Sequence, residues 1–64
     1  MTLIDLFKVM DDDTKVAVNS NNFADPITGT VEDVIDCLDV IHLEKVVSNI
    51  YLSTVYKAIY ITIE

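Results

Sequence analysis

Thr30-Val31-Glu32-Asp33-Val34-Ile35-Asp36-Cys37-Leu38 is the stretch that decides the fold. Val31, Val34, Ile35 and Leu38 stand at i, i+3, i+4 and i+7, which stacks them on one side of a 3.6-residue helix. Thr30 caps the first turn, with Asp33 at the third position of a T-x-x-D capping box, and Gly29 frees the chain to turn sharply into it. Glu32, Asp36 and Asp39 point away from the apolar stripe. The spacing therefore predicts a short amphipathic helix with one buried and one acidic face.

Upstream, Thr2 to Met10 repeats the design: a second T-x-x-D box, with Leu3, Leu6, Phe7 and Met10 at helical spacing. Asp11-Asp12-Asp13 ends that helix, because carboxylates at a helix C-terminus oppose its dipole. Thr14 to Asn19 alternates, Val16 and Val18 against Lys15, Ala17 and Asn19, and reads as a strand. Ser20-Asn21-Asn22 is turn chemistry. Phe23 to Thr28 returns as a short extended arm, broken at Asp25-Pro26 and so confined to an edge or bend.

Downstream, the helix is expected to stop between Leu38 and Val40, with Ile41 to Glu44 as a connector. A helical template also fits Val47, Ile50, Tyr51, Ala58 and Ile61, but 12 of the 18 residues from Val46 to Ile63 are β-branched or aromatic. That composition favours strands. Ile59 to Ile63 alternates strictly, and its partner is Val46 to Leu52 across a turn near Ser53 to Tyr56. The turn has neither glycine nor Asn-Gly, so it specifies register weakly. The expected architecture is α+β: a single domain over residues 1–64, two short helices on one face of a small, mostly antiparallel three- to four-stranded sheet.

With 64 residues the chain buries only about 60% of the surface that it exposes when unfolded, so stability is marginal. A hydrophobic fraction of 52% nevertheless supplies a core. Eleven acidic residues face four lysines and no arginine, for a net charge of -7. Such a chain is repelled by nucleic-acid phosphates and attracted to basic protein surfaces. One cysteine rules out an internal disulfide and suits a reducing, cytoplasmic setting. Neither a secretory leader nor an apolar run of bilayer length is expected.

Catalysis is not expected. There is one histidine, one cysteine and no glycine-rich loop, and so small a core leaves little room for a substrate pocket. A structural zinc is a second reading. Asp33 and Cys37 lie one helical turn apart and His42 follows the helix, and all three are acceptable ligands. A metal would also compensate for a small core. The competing reading of the same residues is a half-buried thiol and a surface histidine. The acidic residues Asp11, Asp12, Asp13, Glu32, Asp36 and Asp39 form the main candidate binding surface, provided that the end of the first helix lies near the second. Its alternative is a solvated face that keeps the protein soluble.

The runs Leu6-Phe7-Lys8-Val9-Met10-Asp11-Asp12-Asp13-Thr14-Lys15-Val16, Gly29-Thr30-Val31-Glu32-Asp33-Val34 and Ile59-Tyr60-Ile61-Thr62-Ile63 resemble small acidic proteins of phages and mobile elements of Gram-positive bacteria. That group includes type II-A anti-CRISPR inhibitors, which block Cas9. The resemblance implies a non-enzymatic protein–protein inhibitor of a CRISPR-associated nuclease, and it assigns no individual residue a role. The alternative is a homodimeric regulatory module of a mobile element with no nuclease target, joined through strand edges and exposed tyrosines.

Overall fold

The first helix, α1 (Leu3–Lys8), begins where its cap is encoded. The Thr2 side chain accepts from the Asp5 backbone N–H, and the Asp5 carboxylate accepts from the Thr2 N–H. Hydrogen bonding to that carboxylate by Thr2, by its hydroxyl first and its backbone N–H second, holds the Asp5 carboxyl below the ordinary aspartate value. In the computed structural model, which describes residues 1–64, α1 buries Leu3 and Phe7 and packs Leu6 against the same core, joined by Met10 just beyond its end. The aspartate run lies beyond its end, in the turn leading to the first strand.

β1 (Lys15–Ser20) and β4 (Ala58–Ile63) form the centre of the sheet and run parallel, Val16 opposite Ile59 and Ser20 opposite Ile63. β2 (Ile27–Thr30) lies antiparallel outside β1, and β3 (Val47–Ser53) lies antiparallel outside β4, giving the order β2-β1-β4-β3. The sheet is thus mixed, with two antiparallel pairings flanking a parallel one. The hairpin register runs from Val47↔Ile63 to Ser53↔Ala58, with a bulge between Val47 and Asn49. The bulge is the device that fixes which face each β3 residue takes. Lys57 closes the turn at φ 54°.

α2 (Val31–Cys37) has the stripe that its sequence encodes and one half of the expected capping box, since the Asp33 carboxylate returns no bond to the Thr30 N–H. Thr30 accepts from the Asp33 N–H at 3.2 Å, Val31, Val34 and Leu38 are buried, and Ile35 packs against the core. A third helix follows, α3 (Val40–Leu43), where a connector was expected. One turn is too short to show a period, so composition alone does not announce it. α2 rests on β1 and β2, and α1 packs against α3.

Strand alternation sorts the side chains. Val16 and Val18 join Ile59, Ile61 and Ile63 beneath the helices, completed by Leu3, Phe7, Val31, Val34 and Leu38. Ser20 and Ser53 are buried polar residues, and each is used as a turn nucleus. The Ser20 Oγ accepts from the Asn22 N–H and the Ser53 Oγ from the Tyr56 N–H. The other face of the sheet carries no helix.

Gly29, the penultimate residue of β2, has φ 149°, a backbone conformation that side chains rarely adopt. A Cβ there would stand 3.3 Å from the Asp33 Cβ at the start of α2. Gly29→Ala is therefore expected to cost about 1–3 kcal/mol through backbone strain. In a domain of this size each kcal/mol lowers the melting temperature by roughly 4–8 °C, measurable by thermal circular dichroism. An unchanged melting temperature would contradict the strained junction.

Candidate functional site

Two backbone hydrogen bonds build the acidic surface. The Val31 N–H donates to the Thr14 carbonyl at 2.9 Å, and the Glu32 N–H donates to the Asp12 carbonyl at 3.1 Å. The first turn of α2 thus uses its otherwise unpaired N–H groups to hold the aspartate loop. A third bond, from the Thr14 N–H to the Asp11 carbonyl at 3.1 Å, folds that loop on itself. It is thus the loop after α1, not the end of α1 itself, that abuts α2.

Asp11, Asp12 and Asp13 are all exposed, as are Glu32, Asp33 and Asp36 on α2. Glu32 and Asp36 are one turn apart, so the charge continues along the helix from the loop. Asp39 is also exposed but occupies the N-cap of α3, beyond Leu38, and makes no capping bond through its side chain. The loop and α2 form one ridge, and Asp39 lies past its far end.

The proposed zinc ligands are not gathered. No group of three or more His, Cys, Asp or Glu side chains is placed to hold a metal. Asp33 leans over Gly29, and Cys37 is exposed at the last position of α2. His42 is half-buried in α3 and meets the Phe23 ring edge-on, centroids 5.1 Å apart at 64°. Helical spacing aligned Asp33 with Cys37, but α3 pairs His42 with Phe23. Its Nδ1 atom is buried without a hydrogen-bond partner.

Asp33 also lines a shallow cavity of about 270 Å³ with Lys15, Thr28, Thr30 and Tyr56, below the roughly 300 Å³ at which ligand clefts begin. The cavity opens at the end of the sheet where β1 and β4 start and β2 finishes. Beside it, on the face without helices, three tyrosines cluster. Tyr51 stacks on Tyr60 with centroids 5.0 Å apart, and Tyr56 tilts against Tyr60 at 5.6 Å. Register explains the first pair, since Tyr51 and Tyr60 are direct cross-strand neighbours.

Strand edges and exposed tyrosines were expected from the sequence, but Ile50 and Leu52 of β3 were not. Leu52 is 79% exposed, and Ile50 and Tyr51 are close to half exposed. The available signal was the absence of any charge between Lys45 and Lys57. The chain matches no protein-family model, no curated protein and no solved structure. No helix is long and apolar enough to cross a membrane.

The Tyr60 phenol is pushed above the ordinary tyrosine value of 10.0, first by burial and then by the neighbouring Tyr51 and Tyr56 phenols, against an opposing pull from Asn19. Ultraviolet titration should therefore show Tyr60 ionising late. Tyr51→Phe should bring it part of the way back, because burial is the larger cause. The native state holds this proton more tightly than the unfolded chain, so the contribution is complete below pH 10.0 and is lost as pH rises through the value for Tyr60. A Tyr60 phenol that titrates at the ordinary value would show that the cluster does not form.

Proposed function

We propose that the protein acts without catalysis, as a small acidic module that docks on a basic protein surface and blocks its use. The observation that supports this reading is the pair of bonds, Val31 to Thr14 and Glu32 to Asp12, that fastens the aspartate loop to the first turn of α2. Loose carboxylates lose conformational freedom when they bind. Carboxylates on a loop already tied to a helix lose less, and the difference remains as affinity.

The partner that suits such a ridge is a surface built for nucleic-acid phosphates, where lysine and arginine side chains lie in a row. Together with the resemblance of the three sequence runs, this points to a CRISPR-associated nuclease of the Cas9 type. The ridge would occupy a channel for guide or target strand, or a basic patch on a recognition lobe. Asp11, Asp12, Asp13, Glu32 and Asp36 supply the charge, and Asp39 extends it. No direct contact with nucleic acid is part of this reading, since the protein carries the same sign of charge. A second reading, a homodimeric regulatory module of a mobile element, draws on the uncharged outer edge of β3 and does not involve a nuclease.

The decisive measurement is a cleavage and binding assay with type II-A nucleases. Replacing the six carboxylates with their amides is expected to slow association at least about tenfold, since electrostatic steering of this kind raises on-rates by 10–10³. Added salt should reproduce the loss in the unmodified protein, because the screening length is only about 8 Å at physiological ionic strength. Inhibition that survives all six substitutions would falsify the acidic-ridge mechanism. A failure to bind any such nuclease would remove the partner class.

A further inference from the structure

The two edges of the sheet are protected very differently. β2 has four residues, follows Pro26 and contains Gly29, all features that discourage further pairing. β3 has seven residues and carries no charge or proline. Its first part is nevertheless covered. The Val47 N–H donates to the Met1 carbonyl at 2.9 Å, the Leu3 N–H donates to the Lys45 carbonyl at 2.9 Å, and Thr2 bridges Val46. The bulge follows immediately. Beyond it, Ile50 to Ser53 has a neighbour on one side only.

The pairing pattern shows which groups face outward there. In an antiparallel ladder the residues alternate between bonding the partner strand and pointing away from it. The Glu64 N–H donates to the Val46 carbonyl at 3.2 Å, while the Val47 N–H turns outward to Met1. Carried along β4 from Ile63, this alternation directs Asn49, Tyr51 and Ser53 toward β4, and directs the N–H and carbonyl groups of Ile50 and Leu52 outward. The same two residues expose their side chains, Leu52 most of all.

We infer that the Ile50–Ser53 edge of β3 pairs antiparallel with the same edge of a second copy, about a two-fold axis at Tyr51. This inference does not rest on the acidic ridge or on any nuclease. The register is self-complementary. Ile50 faces Leu52 of the other copy in both directions on the helix side, and the outward N–H and carbonyl groups of these two residues bond each other. Tyr51 meets its own counterpart on the open side, so the two tyrosine clusters become one.

Charge does not oppose a second copy despite the net -7. No charged residue lies between Lys45 and Lys57, so the joint itself is neutral. The acidic helix α2 rests on β1 and β2, away from β3. At about 4.8 Å per strand, β1 of one copy lies about 24 Å from β1 of the other. That is about three screening lengths at physiological salt, so the two ridges barely repel.

Sedimentation of the full chain from low micromolar to millimolar concentration should show a monomer–dimer equilibrium. Leu52→Lys should weaken it about tenfold or more, because it sets an unpaired ammonium group against Ile50 at both ends of the joint. Thr28→Lys makes the same change of charge on the opposite edge and should leave the dimer intact. In a Cys37→Ser background, Y51C should form an intermolecular disulfide under mild oxidation, while I50C should not. The axis places the two Tyr51 Cα atoms about 4.5 Å apart, within the range that a disulfide spans. Circular dichroism checks that each variant is folded, and if L52K is not, the crosslinking pair decides alone. A chain that stays monomeric throughout, an L52K variant that dimerises like the unmodified chain, or crosslinking through I50C instead of Y51C would each overturn the inference.

Discussion

Everything in this molecule depends on the parallel pairing of β1 with β4. It joins residues 16–20 to residues 59–63, and the four strand residues buried most completely beneath the helices, Val16, Val18, Ile61 and Ile63, all belong to it. Neither strand has an alternative partner on that side. The segment between them must supply β2, α2, α3 and β3 and still return the chain to the same direction, which is what a parallel pair requires. Because its two halves are far apart in sequence, loop-closure entropy is spent before the pair returns any contact energy. The caps at Thr2 and Thr30, by contrast, are local, each joining residues three apart at the start of one of the two longer helices.

Covering the sheet on one face only has consequences for the other. With helices on one side, the opposite face has to limit its own contact with water, and it does so with the Tyr51–Tyr60–Tyr56 cluster and the small buried Ala17. Tyrosine suits this position, since its ring covers apolar surface while its hydroxyl stays solvated. Six of the eleven acidic residues, Asp11, Asp12, Asp13, Glu32, Asp33 and Asp36, occupy a third region, the loop and exposed face of α2, away from the buried core. The acidic ridge and the open strand edge are thus separated in space on a chain of 64 residues.

Much of this organisation was legible in the sequence wherever a local period or cap was involved. The α2 stripe, both threonine caps, the β1 alternation and the final strand all follow from spacing, and all stand in the structure. The parts that were not legible are those that no short window encodes. α3 is a single turn, and the parallel central pair arises from topology. The bulge at Ser48 adds one residue to β3 and changes the faces that alternation alone would assign. The candidate metal set illustrates the same limit. The i, i+4 relation of Asp33 and Cys37 is a local property, whereas the destination of His42 was set by the packing of α3 against Phe23. The position of the aspartate loop was only partly legible, because it is fixed by backbone bonds from the loop to the first turn of α2 and not by the end of α1.

The bridge at Val46 also brings the two ends of the chain together. Met1 and Glu64 flank the start of β3 from opposite sides, one accepting from the Val47 N–H and the other donating to the Val46 carbonyl. Two strand spacings separate them, about 10 Å, a gap that three or four linking residues can cross. Joined termini of this kind permit circular permutation, with new ends opened at an exposed turn such as Asn21-Asn22. They also make the fold portable. Inserted into a surface loop of a larger protein, it would leave and rejoin its host at nearly the same point, and the host would not have to open to admit it.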